Sequence, residues 1–138
     1  MILVIDTADN EKVFLGLWVS EWLKKEEWSS GRNLSADILI KLEELYDKSG
    51  KTFKETTGII VNSGPGSFTG LRIGISVANT IAYSLNIPVV GCSDVESYQM
   101  LLLKGQQMLS SQKNFKEIVL PKYGKEPNIT QPKNSKAC

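Results

Sequence analysis

Between Ile59 and Leu85 the chain is confined to one local shape. Ile59-Ile60-Val61 is a short β-branched run of the kind that forms a buried strand, and Asn62-Ser63-Gly64-Pro65-Gly66 follows it directly. Leu71 to Leu85 then repeats its apolar residues at helical spacing until Asn86-Ile87-Pro88 ends the pattern. A buried strand, a glycine turn and a helix in succession make a βα unit, which needs a sheet to join. Glycines at such a junction let the backbone turn sharply and turn N–H groups outward at a helix start, where the dipole favours an anion. Two readings stay open, a tight connection and an anion-binding loop.

The helix carries a second signal. Gly70, Gly74, Ala78 and Ala82 are four residues apart and form one stripe of very small side chains. Glycine costs about 1 kcal/mol against alanine inside a helix, so Gly74 implies that something packs closely there, either the chain's own sheet or a helix of another chain. Ile73, Val77, Ile81 and Leu85 make a larger apolar ridge elsewhere on the helix. If one face meets the sheet, the other is left apolar and calls for a partner.

Around this unit the order reads as three strands followed by alternating helices and strands. Met1 to Asp6 and Val13 to Val19 flank the turn-like Asp9-Asn10 and form a hairpin. Residues 20 to 30, with Trp22 and Trp28 around Lys24, Lys25, Glu26 and Glu27, read as a third antiparallel strand, with helix as the alternative. Asn33 or Ser35 caps an amphipathic helix through Leu34, Ile38, Leu42, Leu45 and Tyr46, which Ser49-Gly50 stops. Pro88-Val89-Val90-Gly91 is a further strand. Ser93 or Asp94 caps a third helix carrying Val95, Tyr98, Leu101, Leu102 and Met108, up to about Ser110. The order βββαβαβα predicts an α/β mixed sheet with helices packed on it, the order of a ribonuclease-H-like lobe. Residues 111–138 are expected to be an extended arm that orders only by docking, with Ile118-Val119-Leu120 as one candidate strand.

Composition removes several kinds of chemistry. No histidine is present, which excludes Ser-His and Cys-His activation and histidine zinc sites. Cys92 and Cys138 match neither a disulfide framework nor a zinc spacing. Gly70 is followed by Leu71-Arg72 rather than by Lys and a hydroxyl residue, so the loop is not a P-loop, and a dinucleotide fingerprint begun at Gly64 would need its third glycine at Thr69. Ser67 and Thr69 have no base nearby in sequence. Asp6-Thr7, at the end of the first strand, can hold a hydrated magnesium ion and a nucleotide phosphate, or Asp6 can simply cap its turn. No apolar run reaches a membrane-spanning length, and the short apolar start lacks the basic flank of a signal peptide, so a cytoplasmic protein is expected. The net charge of +1 divides unevenly: residues 1–109 carry −3 and residues 110–138 carry +4. A basic arm can touch RNA, an acidic partner or its own domain.

The run Gly64-Pro65-Gly66-Ser67-Phe68-Thr69-Gly70-Leu71-Arg72-Ile73-Gly74 resembles the hallmark of the TsaB (YeaZ-like) family, grouped with glycoprotease-like domains. Ile5-Asp6-Thr7, the intervening amphipathic helix, and Asn86 to Gly91 before the third helix extend the resemblance over residues 1 to about 105. It implies one lobe of the two-lobed actin-like ATPase superfamily, in a branch that has largely lost the catalytic and metal apparatus kept by TsaD. It further implies a non-catalytic scaffold that pairs with a TsaD-like catalytic subunit through its first-lobe helices and recruits a TsaE-like ATPase. The complex would serve threonylcarbamoyladenosine formation beside the tRNA anticodon, with a homodimer when the partner is absent. On that basis Gly70, Arg72, Ile73, Gly74, Val77, Ala78, Ile81 and Ala82, with Leu34 and Ile38 of the preceding helix, are the expected partner contacts. Asp6, Thr7, Gly64, Gly66, Ser67 and Thr69 are the expected nucleotide corner, which would take ATP or ADP with magnesium only at a partner interface, no intrinsic cofactor being implied. Full-length members continue into a second lobe, and none is expected within these residues. Residues 1–110 therefore read as a single lobe and residues 111–138 as a basic arm, reaching tRNA directly or through the complex; Leu120 to Thr130 loosely resembles the tail that closes full-length members.

Overall fold

The first strand lies in the middle of the sheet. β1 (Ile2–Asp6) is wholly apolar up to its last residue, as a strand buried on both faces must be. β2 (Val13–Trp18) pairs with it antiparallel, and β3 (Trp22–Trp28) pairs antiparallel with β2. On the other side of β1 lies β4 (Gly58–Gly64), in parallel, and beyond it β5 (Val89–Ser93), also parallel, giving the order β3-β2-β1-β4-β5. The computed structural model describes residues 1–111 and 117–123.

Helices α1 (Leu34–Ser49) and α2 (Phe68–Leu85) cover one face. Leu3, Ile5, Leu15, Leu17, Ile59 and Val61 meet Ile38, Leu42 and Leu45 of α1 and Leu71, Ile75 and Ala78 of α2 in the larger core. α3 (Tyr98–Ser111) covers the other face, where Leu101 and Leu102 meet Val4, Phe14, Ile60 and Val90. Among the described residues no helix is long and apolar enough to cross a membrane. The α/β order and mixed sheet agree with the sequence reading.

The third strand is found where it was expected, with an irregular register, and three other local expectations change. The segment 22–28 is a strand whose pairing skips Leu23, so that Trp18 faces Trp22 while Leu17 faces Lys24. This irregularity reverses the faces along β3: Trp22 packs edge-on against Phe14 on the α3 side, and Trp28 lies against the α1 core with Lys41 over its ring. α2 begins at Phe68, three residues earlier than its apolar pattern, because the Ser67 hydroxyl accepts the Gly70 N–H at 3.1 Å as a helix cap. α3 begins later than expected. Ser93 still belongs to β5 and Asp94 has φ +59, so neither caps the helix; the Ser97 hydroxyl accepts the Met100 N–H at 3.1 Å instead. Ile118-Val119-Leu120 is not a strand, and it docks on the chain's own body through Val119, which is buried. The rest of the expected arm, residues 112–116 and 124–138, lies outside the described residues.

Candidate docking surface and glycine corner

The expected nucleotide residues do come together, at the corner where β1, β4 and the start of α2 meet. Most of their polar groups are engaged within the corner itself. Asp6 Oδ1 accepts the Ala8 N–H and the Asn62 side-chain amide, each at 3.1 Å, and Asn62 Oδ1 accepts the Gly64 N–H at 2.9 Å. The Thr7 hydroxyl, fully buried, donates to the Gly70 carbonyl at 2.6 Å. Ser67 N–H donates to the Ala8 carbonyl at 2.7 Å, and its hydroxyl caps α2. Thr69 is exposed on the first turn of the helix. Asp9 and Glu11 line a shallow pocket together with Pro65-Gly66-Ser67, so two acidic residues border the loop and oppose an anion there. Among the described residues no group of three or more acidic, Cys or His side chains is arranged to hold a metal ion.

The glycines of this corner are set by the backbone that crosses them. A methyl group on Gly66 would collide with Ala8, and one on Gly74 with the Thr7 side chain. The stripe Gly70, Gly74, Ala78 and Ala82 therefore faces inward, against the β1 end and the sheet, and all four are buried. Leu34 and Ile38 are likewise core residues, at 2 % and 1 % exposure. Burial of the stripe and of Leu34 runs against the expectation that these residues touch a partner directly, Gly70 and Gly74 admitting the chain's own Thr7 instead, whereas Ile38, though buried, also lines the groove between α1 and α2.

Burial pushes the Asp6 carboxyl above its ordinary range. The hydrogen bonds from Ala8 and Asn62 pull the other way, and the neighbouring Asp9 charge adds to the rise. A raised carboxyl pKa means that the folded chain holds this proton more tightly than the unfolded one. The stabilisation is present below the ordinary aspartate value and disappears as pH climbs through the raised one. Asp6→Asn should therefore gain in thermal midpoint relative to the unchanged chain between about pH 3 and pH 7, and parallel curves over that range would contradict the assignment.

What remains outward is a ridge between α1 and α2. Arg72 is exposed, Ile73, Val77 and Ile81 are half-buried, and a groove runs along Ser35, Ile38 and Leu39 of α1 and Thr69, Arg72, Ile73, Ser76 and Val77 of α2. Leu39 is 61 % exposed and Ile40 56 %, and neither was among the expected contacts. The signal was present, since Ile38-Leu39-Ile40 is three apolar residues in a row and a helix cannot turn all three into one core. The spacing also gave no sign of Asn79, Lys122 or Tyr123, which hold the segment 119–123 against this corner.

Comparison with known proteins gives the family of this arrangement. A family model described as "TsaD: tRNA N6-adenosine threonylcarbamoyltransferase" matches residues 29–113, more than half of the chain. The tRNA threonylcarbamoyladenosine biosynthesis protein TsaB of Escherichia coli is 33% identical over 92 residues, covering 67% of this chain and 39% of that protein. The tRNA N6-adenosine threonylcarbamoyltransferase of Geotalea daltonii is 39% identical over 87 residues, covering 63% of this chain and 24% of that protein. Among solved structures, YeaZ from Pseudomonas aeruginosa superposes with a TM-score of 0.61 at 29% identity, over 67% of this chain and 42% of that one. The chain thus spans less than half the length of these relatives.

Proposed function

Because the chain belongs to the TsaB/TsaD family, on its TsaB (YeaZ-like) side, we propose that it serves threonylcarbamoyladenosine formation on tRNA as a non-catalytic scaffold. Its partner is a TsaD-like catalytic subunit, docked on the α1–α2 face. The observation that carries this reading is the outward ridge. Leu39, Ile73 and Val77 present apolar surface beside the Arg72 cation, on two helices whose opposite sides are fixed in the core, and a rigid apolar groove with a charged rim suits a protein partner. Support for a scaffold also comes from the glycine corner, where the Thr7 hydroxyl holds α2 to the end of β1 and the Ser67 hydroxyl is engaged in capping α2. Without the TsaD-like partner the same ridge would pair two copies of the chain. A TsaE-like ATPase and tRNA would join through the assembled complex, in a cytoplasmic setting.

The test is size-exclusion chromatography and calorimetry with a TsaD-like protein from the same genome. A one-to-one complex that excludes self-pairing is expected, and two separate peaks with no heat of mixing would sink the proposal. The alternative, a nucleotide-binding protein of the actin-like superfamily using Asp6, Thr7 and the Gly64–Thr69 loop, requires a heat of binding with ATP and magnesium that weakens in Asp6→Ala.

A further inference from the structure

Segment 119–123 lies on the corner as a bound peptide would. Asn79 of α2 brackets Val119 as a neighbouring strand would, its amide nitrogen donating to the Val119 carbonyl at 3.0 Å and its amide oxygen accepting the Val119 N–H at 2.9 Å. The Val119 side chain is 9 % exposed and joins the larger core, in a gap that exists because Gly91 has no Cβ to fill it. Three residues on, the Lys122 N–H donates to the Ser63 carbonyl at 2.6 Å, and the Lys122 carbonyl rests against Gly64, where φ is +124° and any side chain would collide with it. Lys122 also pairs with Asp94 at 2.7 Å, a contact open to solvent at both ends and so of little energy.

The segment ends on the docking ridge. The Tyr123 ring stacks on Phe68 with centroids 4.4 Å apart and planes 17° from parallel, and the Arg72 guanidinium lies over the same Phe68 ring at 5.5 Å. Arg72 is the charged residue of the α1–α2 groove. A continuous set of contacts therefore runs from Asn79 and Ser63 through Tyr123 and Phe68 to the groove.

We propose that residues 119–123 are a strap whose docking positions Arg72 for the partner, so that strap docking and partner binding at the α1–α2 face are thermodynamically linked. This rests on the docking reading above. Tyr123 is then a positioning residue that acts through Phe68 and Arg72. Linkage is reciprocal: whatever factor strap release takes from partner affinity, partner binding must add to strap protection.

The full chain is titrated with the TsaD-like protein as the unchanged sequence and as Asn79→Ala, Tyr123→Phe and Tyr123→Ala, and amide exchange at Val119 and Lys122 is followed free and bound. Tyr123→Ala and Asn79→Ala should weaken the complex by about 5- to 20-fold, and Tyr123→Phe, which keeps the stacked ring, should bind as the unchanged chain does. Exchange at the two amides should slow on binding by a similar factor. Unchanged affinity in Tyr123→Ala together with equal exchange in the free and bound chains overturns the strap while leaving docking intact. An unchanged chain that does not bind overturns both. If Asn79→Ala fails to fold, Tyr123→Ala still decides, since it removes a half-exposed ring and no backbone clamp.

Discussion

Gly74→Leu is expected to cost roughly 3 kcal/mol or more of folding stability, a large share of the usual margin of about 5–15 kcal/mol. Gly74 is buried on α2 and meets Thr7, which has no exposed surface and whose hydroxyl is fixed to the Gly70 carbonyl at 2.6 Å. A leucine there must push α2 off β1 or displace Thr7 from that bond, and either movement opens the larger core. Even Gly74→Ala sets a favourable helix propensity of about 1 kcal/mol against a collision with Thr7, and the collision should win because Thr7 is held on the end of a central strand. Urea or thermal unfolding checks this. The midpoint of Gly74→Leu should fall by about 10 °C or more, and Thr7→Ala should recover part of the Gly74→Ala loss when the two are combined. Additive losses would mean that something other than Thr7 sets the need for glycine. If instead Gly74 faced a partner, stability would hold and only complex formation would suffer.

Leu39→Glu tests the outward face in the opposite manner. Leu39 is 61 % exposed on α1 and contributes little to the core, so its substitution should leave stability within about 0.5 kcal/mol. In a complex that covers the α1–α2 groove, the same glutamate would be desolvated against Ile73 and Val77, with the Arg72 cation at the rim as the nearest opposite charge. Truncating or charging a central apolar contact typically costs about 2–4 kcal/mol of binding, so affinity for the TsaD-like partner should fall by roughly a hundredfold. Calorimetry alongside a melting curve separates the two effects. A variant that melts normally and still binds at full strength would remove this groove from the interface.

The two substitutions divide along a line that the sequence leaves half-drawn. Four-residue spacing of Gly70, Gly74, Ala78 and Ala82 marks a close approach, but spacing is blind to which body approaches. Thr7 lies 67 residues earlier, and only the closed sheet brings it there. The order of strands and helices was legible because each element carries its own period and punctuation. β3 was ambiguous for a local reason: where the pairing skips Leu23 the alternation changes phase, so no single period of two runs from Trp22 to Trp28. The start of α3 was misjudged because Ser93 and Asp94 have cap chemistry but remain with β5 and its following turn, while Ser97 has the same chemistry one turn later. That the arm would dock was legible, but where it docks was not. Its clamp joins Val119 to Asn79 across 40 residues, and an asparagine in a helix gives no sign of what it will hold.

The central place of β1 also sets a timetable for the nascent chain. Its antiparallel neighbour follows within a few residues, so the hairpin with β2 can close almost as soon as both leave the ribosome. Its parallel neighbour β4 begins only at Gly58, after the whole of α1. Until then one edge of an apolar strand stays unpaired, and edges of that kind recruit other chains. α1 is ready before β4 and can shield one face of the hairpin, but no helix can satisfy the hydrogen bonds along that edge. Synthesis must reach the glycine corner before the sheet has a middle, so the segment that fixes α2 in the finished protein also ends the most hazardous interval in making it.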